Sequence, residues 1–215
     1  MVHSHENPSV MDEAFWNERY RSRSQEWSGR PHPHLVTEAK EMTPGSALDV
    51  GTGEGADAIW LAEQGWRVTA VDISSVALER GATQADRIGA EIAGMITWKQ
   101  ADLTEWTPPV GEFDLVTAQY FHLPSAQQIA VYEGLADSVA PGGVLLIVGH
   151  HPSDLETTAW RMPDPDPLFT ADEVADELGE GWNILASDAR ARTERDRSGD
   201  SITVHDAVLV ARRNT

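Results

Sequence analysis

Cysteine is absent from the 215 residues of the chain, and no apolar run reaches 18 residues. The first absence excludes a disulfide framework, and the second argues against a membrane-spanning helix. The opening segment MVHSHENPS also lacks the apolar stretch of a signal peptide. We therefore expect a cytoplasmic protein with a disordered tail over residues 1–11 and one domain with a single core over residues 12–215.

Positive charge is scarce in this chain. Lysine and arginine together number 16 against 35 aspartates and glutamates, so the formal net charge is −19. A chain of this charge repels both a nucleic-acid backbone and an anionic lipid surface. We expect a soluble enzyme that acts on a small molecule, with neither nucleic acid nor membrane as a partner.

The eight histidines do not form a metal-binding pattern. His3 and His5 lie in the expected tail, and His32 and His34 flank a proline. No H-E-x-x-H motif or comparable carboxylate spacing is present, so we expect no metal.

The most informative stretch is ALDVGTGEG, residues 47–55. Its first four residues are typical of a buried strand in a parallel sheet. Gly51, Gly53 and Gly55 then allow a tight turn that approaches a ligand closely. Apolar spacing predicts a helix over residues 56–64, so the segment is predicted to be strand, glycine loop and helix.

A second strand is predicted over residues 66–73, and Asp72 at its carboxyl end can accept both hydroxyls of a ribose. The glycine spacing fits the dinucleotide fingerprint G-x-G-x-x-[GA] as well, so it does not identify the nucleoside. Asp49, two residues before the first glycine, favours a nucleoside ligand with an ammonium group over a dinucleotide. A carboxylate at this position repels a pyrophosphate and attracts an ammonium group. Asp49 could instead cap a helix or form a buried ion pair.

The chain resembles the class I S-adenosylmethionine (SAM)-dependent methyltransferases in five segments that occur in the family's order. They are ALDVGTGEG (47–55), VDIS (71–74), ADLTEW (101–106), FDLVTAQYFHL (113–123) and APGGVLLIVG (140–149). FWNERYRSRSQEWSGRP before the glycine loop and GHHP after the fifth strand are similar to the small-molecule, tellurite-resistance and thiopurine branch. One departure is Thr52, where many relatives carry cysteine, and a short side chain suffices there.

The resemblance implies SAM as the cofactor and a set of residues that contact it. Asp102 would accept from the adenine amine and the amide of Leu103 would meet a ring nitrogen, although a solvated loop aspartate is the alternative for Asp102. The full set expected to contact SAM is Asp49, Gly51, Thr52, Gly53, Gly55, Asp72, Ile73, Asp102, Leu103 and Gln119.

The expected fold is α/β, a doubly wound, mostly parallel, seven-stranded Rossmann-like sheet that ends in an antiparallel hairpin. Further helices are predicted over residues 12–23, 34–42, 75–88 and 125–139, and further strands over 96–101, 113–118, 182–192 and 202–212. A fifth strand follows the turn at Pro141, and Thr170 and Glu173 are predicted to cap a short helix. Residues 153–180 form a loop long enough to act as a lid.

The family resemblance also implies that residues 12–45 form N-terminal cap helices over the cofactor. In this cap we expect Tyr20, Trp27 and Arg30 to shape the pocket for the methyl acceptor. Phe15 and Trp16 are expected to pack the first helix onto the sheet.

The carboxyl ends of the fourth and fifth strands are expected to complete this pocket, because open α/β sheets bind ligands there. Tyr120 and His122 follow the fourth strand, and His150 and His151 end the fifth. Adjacent strand residues point to opposite faces, so only one of His150 and His151 can enter the site.

The expected reaction is an in-line transfer of the methyl group to an O, N, S or heavier chalcogen atom of a small molecule. His122 is the candidate base, and a structural role is its alternative. Two other functions stay open at this point. A nicotinamide-dependent oxidoreductase would leave Asp49 and Asp102 unexplained, and a non-catalytic SAM-binding module would bind the cofactor without turnover.

Overall fold

The fold is one twisted sheet with helices on both faces. The computed structural model describes residues 11–23, 29–121, 123, 125–159 and 168–215. The strands are β1 (Ser46–Val50), β2 (Arg67–Asp72), β3 (Ile96–Gln100), β4 (Phe113–Gln119), β5 (Val139–His150), β6 (Trp182–Arg195) and β7 (Ser201–Arg213). They form a seven-stranded sheet in the order β3-β2-β1-β4-β5-β7-β6. Strands β1 to β5 are parallel, whereas β7 is antiparallel to β5 and β6, which confirms the predicted sheet and its terminal hairpin.

The helices lie close to their predicted positions, with one addition. They are α1 (Glu13–Arg21), α2 (Pro33–Ala39), α3 (Ala56–Glu63), α4 (Ser75–Ile88), α5 (Ala90–Gly94), α6 (Ser125–Ser138) and α7 (Ala171–Glu177). The sequence did not predict α5, because five residues are too few to display a helical period. The predicted capping box of Thr170 and Glu173 is confirmed at the start of α7.

Alternate residues of β5 enter two separate apolar layers. Val144, Leu146 and Val148 pack in the layer that contains α2 and α3, whereas Leu145 and Ile147 pack in the layer that contains α6 and α7. All five are buried, which is why VLLIV forms an uninterrupted apolar run. Between the two layers, the strand order reverses at β1 and β4, and their carboxyl ends border the crevice in which such sheets bind ligands.

Two boundaries differ from the predictions. β5 begins at Val139, before the Pro141 turn, because the chain at Val139 already pairs with Phe113 of β4. The predicted lid, residues 153–180, contains a 3-10 helix at Pro152–Glu156 and helix α7, while residues 160–167 lie outside the described part of the chain. Among the described residues, no helix combines the length and apolarity needed to cross a membrane.

Candidate active site

The glycine loop between β1 and α3 folds back onto β2. The amide of Thr52 donates to the carbonyl of Val71 at 3.0 Å, which fixes the loop beside that strand. Gly51 and Gly55 adopt φ of +66° and +78°, a left-handed conformation that favours glycine. A Cβ at Gly55 would collide with the ring of Trp98 from β3. A glycine at this position therefore allows close packing against the Trp98 side chain.

Asp72 ends β2 and stabilises the glycine loop. Its two carboxylate oxygens accept hydrogen bonds from the amides of Gly53 and Ser74, each at 2.8 Å. A carboxylate can accept about four hydrogen bonds, so both oxygens keep capacity for a ligand. Burial raises the pKa of Asp72 despite these hydrogen bonds.

Two more carboxylates lie beside the glycine loop, Asp49 buried and Asp57 half-buried. Asp49, on β1, is 2% exposed and accepts a hydrogen bond from the hydroxyl of Thr52. Burial raises its pKa well above the usual range, and the neighbouring Asp57 raises it further. Asp57, in the first turn of α3, accepts from the amide of His32 at 2.6 Å, and burial raises its pKa to about 6.

Asp49, Asp57 and Asp72 together form what we call the carboxylate cluster. Among the described residues, no lysine or arginine pairs with any of the three, so the ion-pair alternative for Asp49 is not observed. Desolvated carboxylates without a counter-ion attract a cation strongly. The cluster therefore favours a positively charged ligand and disfavours a pyrophosphate.

Gln119, at the carboxyl end of β4, carries a buried acceptor that no described residue satisfies. Its amide nitrogen donates to the hydroxyl of Thr117 at 2.7 Å. Its Oε1 atom is buried and has no hydrogen-bond donor in the described part of the chain. Leaving such an atom unpaired costs about 1–3 kcal/mol, so this position fits a ligand that supplies a donor.

The residues predicted to read the adenine lie in the turn after β3. The Oδ1 atom of Asp102 accepts from the amide and hydroxyl of Thr104 at 2.9 and 2.7 Å, so half of this carboxylate already caps the turn. Leu103 is partly buried against the core of the sheet. The carbonyl of Ile73 accepts from the side chain of Gln100 at 3.2 Å. Asp102, Leu103 and Ile73 thus each have a structural role in the fold, in addition to the contact with SAM that the sequence predicts.

The N-terminal cap is attached through polar contacts to the side of the sheet that carries the glycine loop. Asn17 of α1 is buried and accepts from the hydroxyl of Ser74 at 2.7 Å and from the amide of Val76 at 3.2 Å. Arg80 donates to Glu54 in the glycine loop and to the carbonyl of Arg23, each at 2.9 Å. The cap is thus attached next to Asp72 and next to the glycine loop.

The aromatic residues of the cap occupy different environments. Tyr20 is only 2% exposed, and its ring lies 6.3 Å from that of Trp16. Phe15 is 39% exposed, so the expectation that it packs onto the sheet is wrong; α1 turns Asn17 and Tyr20 inward and leaves Phe15 outside that row. Arg30 is exposed. Trp27 lies outside the described residues, as does His122.

Tyr120 and His150 lie side by side at the carboxyl ends of β4 and β5, as predicted. Their ring centroids are 4.6 Å apart, and the ring of His32 lies 5.1 Å from Tyr120 on another side. Tyr120 has φ +49°, a strained conformation for a non-glycine residue that persists where surrounding contacts enforce it. His34 extends the group, with its ring 5.1 Å from that of His32. We call His32, His34, Tyr120 and His150 the aromatic cluster.

His151 is directed elsewhere, so its predicted place in the acceptor pocket is not supported. Its Nδ1 atom lies 3.0 Å from the hydroxyl of Ser153, and its ring faces His205 at 6.4 Å. The alternation of side chains along a strand explains the separation from His150.

Asp206 of β7 lies beneath the aromatic cluster and is fully buried. It accepts from Nε2 of His34 at 3.2 Å, from Nε of Arg192 at 2.9 Å and from the hydroxyl of Tyr120. Burial alone would raise its pKa, but the hydrogen bonds from His34, Tyr120 and Arg192 lower it to about 2. Asp206 is therefore ionised at neutral pH.

Sequence reasoning missed Asp57, His32, His34, Arg192 and Asp206 as site residues. A signal for Asp206 was present, because it interrupts the row Val204, Val208 and Val210 on the buried face of β7. A carboxylate in such a row requires buried donors.

Residues 47–143, which contain the glycine loop and the carboxylate cluster, match the family model described as "Methyltransferase domain". Over this segment the chain is similar to methyltransferase domains. The resemblance seen in the sequence is thereby confirmed over residues 47–143, and two solved structures with this fold, MtfA and NodS, are complexes with SAM and S-adenosyl-L-homocysteine, respectively.

Two curated methyltransferases are similar to this one over part of their length. Ribosomal RNA small subunit methyltransferase C of Alcanivorax borkumensis is 31% identical over 139 residues, which are 62% of this chain and 39% of that protein. The 2-heptyl-1-hydroxyquinolin-4(1H)-one methyltransferase of Mycobacteroides abscessus is 26% identical over 126 residues, 57% of this chain and 54% of that protein. The matched parts thus span about half or less of these relatives.

Solved structures share the fold over nearly the whole chain. One, described as "Conversion of a Disulfide Bond into a Thioacetal Group during Echinomycin Biosynthesis", is 25% identical with a TM-score of 0.73 and covers 94% of this chain and 92% of that chain. The N-methyltransferase NodS of Bradyrhizobium japonicum, in complex with S-adenosyl-L-homocysteine, is 18% identical with a TM-score of 0.67 and coverages of 94% and 98%.

Proposed function

We propose that this protein transfers the methyl group of SAM to an O, N, S or heavier chalcogen atom of a small molecule. The observation that carries the proposal is the adjacency of two unlike surfaces in one crevice. The carboxylate cluster lies beside the glycine loop, and the aromatic cluster begins at His32, whose amide binds Asp57 of the carboxylate cluster.

The carboxylate cluster suits the cationic cofactor. Asp72 has free acceptor capacity for the ribose hydroxyls, and Asp49 and Asp57 favour the positively charged methionine end of SAM. The unsatisfied Oε1 of Gln119 offers a further acceptor for an ammonium donor. When bound, SAM supplies a methyl group already joined to a good leaving group.

The remaining task of the protein is to position the acceptor in line with that methyl group, which can contribute several kcal/mol. The aromatic cluster provides flat faces and polar tips next to the glycine loop. The ring of Tyr120 contacts the rings of both His32 and His150, so this surface is preorganised for a small aromatic or polarisable acceptor.

Net charge supports a small molecule over RNA. The chain carries −19, which opposes the contacts that a phosphate backbone requires. One similar protein is named as a ribosomal RNA methyltransferase and another as a quinolone methyltransferase, so RNA is the alternative acceptor that an experiment must include.

The test is a screen with SAM labelled in its methyl group. Thiols, phenols, amines, selenite and tellurite would be supplied singly, with ribosomal RNA in a parallel arm. We expect label in at least one small-molecule product, together with S-adenosylhomocysteine. Label in RNA alone, or no transfer to any acceptor, would overturn the proposal. The variant Asp72→Ala serves as the control for transfer that depends on the site.

A further inference from the structure

We propose that His34, oriented by Asp206, accepts a proton from the methyl acceptor, so that the acceptor class is one whose nucleophilic atom arrives protonated, such as a thiol or a phenol. The inference rests on the function proposed above. It starts from a histidine and a carboxylate that are 172 residues apart in the sequence and 3.2 Å apart in the fold.

The contacts of His34 determine which ring nitrogen can accept a proton. Ionised Asp206 can only accept hydrogen bonds, so the Nε2 atom facing it carries the hydrogen, and Nδ1 keeps its lone pair. No described residue forms a hydrogen bond to this Nδ1. The side chain is 16% exposed, which leaves it reachable by a ligand and largely shielded from water.

The charged groups around His34 are already paired with one another. Arg192 is compensated twice, by Asp206 at 2.9 Å and by Glu194 at 2.9 Å. One turn further along α2, Glu38 is paired with Arg190 at 2.7 Å. Tyr120 donates to Asp206 and contributes no charge, because burial raises its pKa.

His32, the other neighbour, is neutral as well. Burial and, to a smaller extent, the adjacent His34 lower its pKa to about 4. A neutral His32 places no second cation between the carboxylate cluster and His34. In the aromatic cluster, the ring of His34 is thus oriented by an ionised carboxylate at hydrogen-bond distance, the arrangement that general-base catalysis requires. His150 of the same cluster lies 3.9 Å from Asp154, beyond that distance.

The proposed step conserves atoms and charge. The acceptor atom uses its electron pair to form a bond to the methyl carbon while the bond from that carbon to sulfur breaks, and that electron pair stays on sulfur. The proton of the acceptor passes to Nδ1 of His34. One positive charge is lost from the sulfonium and one appears on the imidazole, where Asp206 stabilises it.

Two thiols of different acidity test the inference. At neutral pH, 4-nitrothiophenol is ionised and 2-phenylethanethiol is protonated, so a base is needed only for the second. In His34→Gln, kcat for 2-phenylethanethiol should fall by about 100-fold or more, the usual scale of general-base catalysis, while kcat for 4-nitrothiophenol changes by less than about 3-fold. Glutamine can still donate to Asp206, so SAM affinity measured by calorimetry should stay within about 3-fold.

His205→Gln is the matched control, because His205 is the neighbour of Asp206 on β7 and contacts His151 rather than the aromatic cluster. It should leave both rates unchanged. A loss confined to the protonated thiol is a result that a merely structural role of His34 would not give. Equal losses with both thiols, or no loss, would overturn the inference. A wild-type protein active on 4-nitrothiophenol alone would overturn it too, whereas a wild type inactive on the whole acceptor screen would overturn the proposed function itself.

Discussion

Asp57 is a half-buried carboxylate that makes the folded chain less stable at neutral pH. Burial raises its pKa from the usual 3.8 to about 6. The folded state therefore binds this proton at pH values where the unfolded chain has released it. By linkage, its effect on stability becomes more unfavourable as the pH rises from 3.8 to about 6 and is then constant. A cationic ligand would compensate this charge, which explains its place in the site.

The variant Asp57→Asn should stabilise the ligand-free protein above pH 6 by up to about 3 kcal/mol, the free energy that corresponds to the raised pKa. An asparagine keeps an oxygen to accept from the amide of His32. Near pH 3.8 the two proteins should unfold alike. Thermal melts across this pH range measure the difference, with the exposed Asp86→Asn on α4 as the control. A stability difference that does not change with pH would contradict this explanation, and SAM should bind the Asp57→Asn variant more weakly.

At the scale of elements, the glycine loop is constrained by the strand beneath it. Gly55 combines φ of +78° with the ring of Trp98, whereas Gly111 has a similar φ of +69° and open space where a Cβ would lie. Gly111→Ala should therefore lower the free energy of unfolding by about 1–2 kcal/mol through backbone strain alone. Gly55→Ala should lower the free energy of unfolding by about 1–3 kcal/mol more than that, because the ring of Trp98 must move.

Urea unfolding of the two alanine variants measures this difference directly. Equal losses would mean that Trp98 yields without cost and that conformation alone requires glycine at position 55. In that case the close contact between Gly55 and β3 would not contribute to the requirement for glycine in the loop.

Elements with strong local patterns were predictable from the sequence. The run VLLIV identified β5, ALDV identified β1, and Thr170 with Glu173 identified the start of α7. The short helix α5 was not predictable, because its five residues contain little more than one turn. The exposed position of Phe15 was missed because helix α1 docks through the polar Asn17, which apolar spacing does not reveal.

At the scale of the whole molecule, the site was only half predictable. The carboxylates Asp49 and Asp72 stand in the family segments, next to the glycines. The pair of His34 and Asp206 is formed by elements at opposite ends of the chain, and no local spacing records that contact. The terminal hairpin supplies Asp206 and Arg192, so the proposed acceptor side of the crevice depends on long-range pairing of β7 with β5.

The net charge of −19 has its own consequence for stability. A compact chain of one predominant sign is destabilised by self-repulsion, and salt screens it with a Debye length of ~10 Å at 0.1 M. Raising sodium chloride from ~10 mM to ~300 mM should therefore increase the melting temperature of the ligand-free protein. A melting temperature that falls would mean that attractive ion pairs such as Arg190 with Glu38 outweigh the repulsion.

The most direct test of the account measures whether the carboxylate cluster recognises the positive charge of the cofactor. Asp49→Asn keeps the shape of a side chain that is 2% exposed and removes its charge. Calorimetry with SAM, S-adenosylhomocysteine and adenosine would compare ligands with and without the ammonium group, after a melting curve has shown that the variant folds. We predict that SAM and S-adenosylhomocysteine weaken together by about 1–3 kcal/mol and that adenosine is barely affected. Equal weakening of all three ligands would contradict the account, because Asp49 would then support the glycine loop without recognising the charge of the cofactor.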